Sequence, residues 1–111
     1  NVDKDLVAHS VRWLQVPFDA VVTAEDVGSY KPAQGHFLEA IRRLELPKSE
    51  ILHVACSQYH DIAPARALGL KSVWVNRRRG QEGTGATPAS TAKADLEVGS
   101  LKELVDLVLL P

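Results

Sequence analysis

The stretch that most restricts how this chain can fold is residues 51–70, ILHVACSQYHDIAPARALGL. Ile51, Leu52, Val54 and Ala55 make a nearly continuous apolar run, the pattern of a strand buried on both faces of a parallel sheet. Cys56, Ser57, Gln58, Tyr59, His60 and Asp61 then form a polar turn. The alanine-rich segment that follows reads as a helix. Pro64 falls in its first turn, where a missing N–H does no harm, and Gly69 stops it. In open α/β sheets ligands bind beyond the carboxyl ends of strands, so this polar turn is the first place to look for chemistry.

The flanking sequence supplies matching elements. Residues 3–15 read as a helix with Leu6, Val7, Val11 and Leu14 on one stripe, Asp3 as N-cap, Asp5 in the first turn and Pro17 closing it. Residues 20–24 (AVVTA) read as a short strand, followed by a polar loop to Pro32, which suits the first position of the next helix. There Phe37, Ala40, Ile41 and Leu44 form the inward stripe, with Arg42 and Arg43 outward. Pro47 closes that helix. Residues 71–76 (KSVWVN) predict a third strand, residues 77 to 94 a long surface loop, and residues 95–98 a short edge strand. Ser100 and Glu103 make a capping box for a last helix with Leu101, Leu104, Val105 and Val108 inward. This order predicts a three-layer, Rossmann-like α/β sandwich with a parallel sheet, in one domain over residues 1–111 and without internal repeats.

Composition narrows the function classes. The 111 residues carry a formal net charge of −1, which argues against an electrostatic nucleic-acid binder. The one basic cluster, Arg77, Arg78 and Arg79, lacks interleaved aromatics and reads as a solvated strand end. No apolar run approaches the ~20 residues that span a bilayer, and no signal peptide opens the sequence. A single cysteine rules out an intrachain disulfide and fits a reducing compartment. The expectation is a cytoplasmic protein with no nucleic-acid or membrane partner.

The predicted strand ends gather the loop carrying Lys31, the turn from Cys56 to Asp61, and Asn76. A lysine held near carboxylates stays charged and can stabilise an anionic nucleophile or leaving group. On residue types alone, the favoured reading is that Lys31 is a solvated loop residue and Asp61 a helix cap. A zinc site from His53, Cys56 and His60 is disfavoured: residues three apart on a strand point to opposite faces, and no paired-cysteine or His-x-x-x-His spacing is present. His9 and His36 fall on predicted helices and read as surface residues; Trp13 and Trp74 read as core or rim packing.

SYKP after a strand and an acidic loop, then HVACSQYHDIAPARALGL, then VWVNR, resembles the haloacid dehalogenase superfamily, in particular its L-2-haloacid dehalogenase-like branch. The likeness extends through the closing DLEVGSLKELVDLV and so covers nearly the whole chain. It implies that Lys31 stabilises a nucleophilic aspartate and that Asp61 is the fourth-motif acid that positions or activates the hydrolytic water. It further implies a small-molecule substrate, and that Asn1 is the second-motif asparagine, binding substrate or the departing anion, with Ser57 and Gln58 beside the substrate. Cys56 stands where phosphatases of the superfamily place a magnesium-binding aspartate and dehalogenases a non-acidic residue, so no metal cofactor is expected unless the protein is a magnesium-dependent phosphatase.

The family nucleophile is the first aspartate of an Asp-x-Asp-x-Thr/Val motif after a buried strand. Asp3-Lys4-Asp5-Leu6-Val7 matches those letters but begins a helix, with no strand before it to present it. The resemblance therefore places the nucleophile strand, the cap domain and the second-motif serine upstream of Asn1. Its sheet order puts residues 20–24 on one side of the missing strands and residues 51–55 and 73–76 on the other. The expectation is the C-terminal half of a core domain, completed by the rest of a longer chain, by a homo-oligomer or by strand exchange. The alternatives are the phosphatase and a non-catalytic remnant.

Overall fold

A computed structural model of the protein describes residues 1–110. They divide into two compact units, the first Asn1–Pro47 and the second beginning at Lys48.

The first unit is helical: α1 (Lys4–Leu14), α2 (Ala24–Val27) and α3 (Gly35–Leu44). Asp3 holds the extended N-cap conformation of α1 without a side-chain cap bond; the Lys4 amide donates instead to Glu25 Oε2 at 2.9 Å. The helix ends at Gln15 in the left-handed region (φ 53°), before Pro17. Its stripe is not buried: Leu6, Trp13 and Leu14 all face solvent, because the unit has no strand among the described residues for α1 to lie on.

The strand expected at residues 20–24 is absent. A strand exists through its partner, and here the main-chain groups are taken elsewhere. Val21 O accepts from Arg43 Nη1 at 3.0 Å, and the Ala24 amide donates to Val2 O at 3.0 Å. Thr23 begins α2 instead, in a reciprocal capping box with Asp26. Helix α3 starts at Gly35 rather than Pro32, because residues 30–33 form a turn closed by Ala33 N–H to Tyr30 O; Lys31–Pro32 is a cis peptide. Its inward positions are His36 and Phe37. His36 is thus buried, correcting its surface assignment; Ala40 and Ile41 are half-buried and Leu44 is exposed.

The second unit holds the sheet. Strands β1 (Leu52–Ala55), β2 (Lys71–Val75) and β3 (Leu96–Val98) lie in that order and pair in parallel. The turn and the short helix α4 (Ala63–Ala67) connect β1 to β2. Residues 77–94, a loop without regular structure, connect β2 to β3, which satisfies the long crossover a parallel pair needs. On one face Val73, Val75 and Val98 form the core, with Leu104 of α5 (Leu101–Leu109) packed against it.

Register explains why β1 is not buried on both faces. Val54 pairs with Val73, so Leu52 and Val54 share the face of Val73, and both are exposed, since α5 packs over β2 and β3. His53 pairs with Ser72 and lies on the opposite face. Helix α5 is short and contributes mainly Leu104; Leu101, Val105 and Val108 remain exposed. Half of its predicted capping box forms as expected: Ser100 Oγ accepts from the Glu103 amide at 3.1 Å. The Glu103 carboxylate accepts instead from the Gly99 amide.

Candidate active site

Beyond Ala55 the chain does not make an open turn. Ser57, extended at φ −100° and ψ 116°, caps a π-helical turn, Gln58–Ile62, that runs directly into α4. The amides of both Asp61 (3.1 Å) and Ile62 (3.2 Å) bond Ser57 O. The second is an i to i+5 bond, and such widened turns recur at functional sites. Ser57 Oγ accepts from the His60 amide at 3.0 Å and lies 3.0 Å from His60 Nδ1. Trp74 Nε1 donates to Cys56 O at 3.0 Å, fixing the strand end against β2. This ring is a rim contact with a polar role.

Asp61 is buried. Its Oδ1 lies 3.1 Å from Nε2 of the half-buried His53. An ionised carboxylate only accepts, so in the arrangement with Asp61 charged the donor is Nε2. Cys56, Ser57 and Asp61 line a cleft of about 650 Å³ at the ends of β1 and β2, together with Arg77, Arg78 and Thr87. Gln58 is used differently: its Nε2 donates to Ala92 O at 2.8 Å, tying the long loop to the turn. Asn76 donates to Glu97 Oε1 and braces β2 against β3.

In the first unit the structure joins Asn1 to Lys31. Asn1 Oδ1 accepts from the Lys31 amide at 2.7 Å and its Nδ2 donates to Lys31 O at 3.1 Å, so one side-chain amide holds both main-chain groups of the lysine. The same unit sets two carboxylates deep in their charged form. The Thr23 amide, with Lys4 beside it, lowers Asp26 to about 2; Arg42 and Arg43 lower Glu39 to about 2.

Two features escaped the sequence. Arg77 and Arg78 do face solvent, yet they also wall the cleft. The sequence offers His53 only as a metal ligand. Strand alternation puts it on the face opposite Val54, but nothing in the sequence signals that the turn folds back to meet it.

Residues 3–75 match the family of haloacid dehalogenase-like hydrolases. The chain belongs to that family. Among curated haloacid dehalogenase-like relatives, a ribulose-1,5-bisphosphate 5-phosphatase from Halopiger xanaduensis is 35% identical over 81% of this chain and 38% of its own length. An (S)-2-haloacid dehalogenase from Pseudomonas putida is 33% identical over 72% of this chain and 34% of its own. Among solved structures, a HAD phosphatase from Thermococcus onnurineus superposes with a TM-score of 0.73 at 28% identity, covering 97% of this chain and 46% of that one. The chain therefore spans less than half the length of these hydrolases, and its α/β fold with a parallel sheet is a fragment of their core domain.

Phosphatases of this kind imply magnesium, which takes hard oxygen ligands, commonly one or two carboxylates. The turn offers a thiol, a hydroxyl and a single carboxylate already bonded to His53. Among the described residues no three His, Cys, Asp or Glu side chains are grouped to hold a metal ion. This turn by itself offers magnesium one carboxylate oxygen set, that of Asp61, and a thiol where a second carboxylate would stand. Also among the described residues, no helix is long and apolar enough to cross a membrane.

Proposed function

We propose that this chain is the C-terminal part of the core of a hydrolase that removes halide from a small 2-haloacid through an aspartyl-ester intermediate. The observation that supports it is Cys56. It is exposed at the end of β1, five positions before Asp61, and lines the cleft where a phosphatase of the superfamily presents a carboxylate. A thiol there is a soft ligand with little affinity for magnesium.

In this reading an aspartate outside residues 1–111 attacks C2 of the haloacid. The carbon–halogen bond breaks, halide leaves with its electron pair, and an ester links substrate to enzyme. Water then adds to the ester carbonyl, and the acyl–oxygen bond breaks to give a 2-hydroxy acid and the free aspartate. Lys31 is the cation beside that nucleophile, held through its main chain by Asn1, and Asp61 accepts the proton of the attacking water. Ser57 shapes the turn that presents Asp61.

Similarity to phosphatases such as the Halopiger protein supports a second reading, a magnesium-dependent phosphatase. Assays of the full-length protein on 2-haloacids and phosphate esters in parallel, before and after exhaustive chelation, separate the two. Activity on 2-haloacids that survives chelation is expected. Loss on chelation, recovery on added magnesium and a preference for phosphate esters would establish the phosphatase instead.

A further inference from the structure

We infer that His53 is a positioning residue for Asp61, orienting the carboxylate that acts on water and serving the hydrolysis of the covalent intermediate rather than its formation. The inference rests on the proposed role of Asp61. Three observations carry it. Asp61 Oδ1 lies 3.1 Å from His53 Nε2, and Asp61 is only 6% exposed, so a buried carboxyl group has an imidazole nitrogen at hydrogen-bond distance. The two side chains come from different elements, β1 and the π-helical turn, so the bond fixes the turn against the strand as well as the carboxylate's rotation. Asp61 at the same time borders the cleft beside Cys56 and Ser57, so its orientation toward His53 sets which part of it reaches the cleft.

His53 itself is not among the residues lining that cleft, so it acts through Asp61. The chemistry assigns it to one step. Attack of the nucleophilic aspartate on substrate requires no proton acceptor at Asp61, whereas addition of water to the ester does. Loss of the orienting bond should slow the second step and spare the first.

The test uses the full-length protein and rapid-quench measurement of product release, with His53→Phe, His53→Gln and Asp61→Asn. His53→Phe conserves bulk and removes the donor; His53→Gln restores an N–H donor. In His53→Phe, a burst of about one halide per enzyme followed by steady turnover reduced ~10–100-fold is expected, the size seen when an outer-shell partner is removed. KM should not rise, and His53→Gln should recover most of the rate. Unchanged turnover in His53→Phe, or equal losses in both steps in His53→Phe and His53→Gln that follow their melting temperatures, would overturn the inference. Asp61→Asn reports on the underlying reading: if it retains full turnover, Asp61 is not the water-activating group and the positioning role falls with it. If the substrate proves to be a phosphate ester, the 2-haloacid reading fails alone, and the burst is read on the released alcohol with the same outcomes.

Discussion

Replacing Ser57 with alanine should destabilise the candidate site by an amount the geometry specifies. Ser57 Oγ accepts from the His60 amide at 3.0 Å and lies within hydrogen-bond distance of His60 Nδ1. Loss of a serine N-cap costs typically ~1 kcal/mol. A half-buried hydroxyl–imidazole bond contributes about 0.5–1 kcal/mol net. Together they give about 1.5–2 kcal/mol for Ser57→Ala, and well under half of that for Ser57→Thr, which keeps an oxygen at the same place. The measurement is urea denaturation of full-length protein with matched hydrogen exchange at the His60 amide, which should accelerate in Ser57→Ala alone. A shift below about 0.3 kcal/mol with unchanged exchange would refute the argument, because it would mean that the Oγ contributes nothing to holding the turn that carries Asp61.

Two further outcomes follow from the same structure. Asp26 and Glu39 fall from ordinary values of 3.8 and 4.5 to about 2 when folded. A depressed carboxylate adds stability above its unfolded value and loses it as pH falls toward the folded one. Acid sensitivity between about pH 4.5 and pH 2 should therefore be blunted in Asp26→Asn and Glu39→Gln, checked by acid titration of the folded signal. Val98→Ala removes two carbons from the cluster of Val73, Val75 and Val98 and should cost about 2 kcal/mol in denaturant unfolding; a loss below 0.5 kcal/mol would show that β3 does not share that core.

Periodicity told which residues share a face, and failed where it was asked what covers that face. Val73 and Val75 are core because a central strand has neighbours on both sides; Leu6 and Val108 carry a helical stripe signal and are exposed. Residues 20–24 show the same limit for strands. Their β-branched pattern is real, yet without a pairing partner among the described residues the capping chemistry of Thr23 and Asp26 decides the local structure. Caps and stops with a one-residue chemical cause, such as Ser100 and the left-handed Gly69 (φ 76°), were read closely.

The candidate site was legible in its residues and not in its bonds. Asp61 stands out as the acid after a strand, but sequence cannot announce an i to i+5 turn, since any helix-compatible run can make one. Widening the turn by that one residue puts the amides of Asp61 and Ile62 on one carbonyl. It also presents Asp61 to the cleft that Cys56 and Ser57 line. Strand parity sets His53 and Cys56 toward opposite faces. The same parity sets His53 on the face of Ser72, where the turn returns to meet it. Asn1 and Lys31 teach a parallel lesson: an amide bonded to both main-chain groups of a residue thirty positions away leaves no local trace in sequence. Lys31 and Asp61, the residues that the resemblance singles out, are each bonded by a side chain distant in sequence, Asn1 and His53. What each side chain holds is set by the fold and not by its neighbours in sequence.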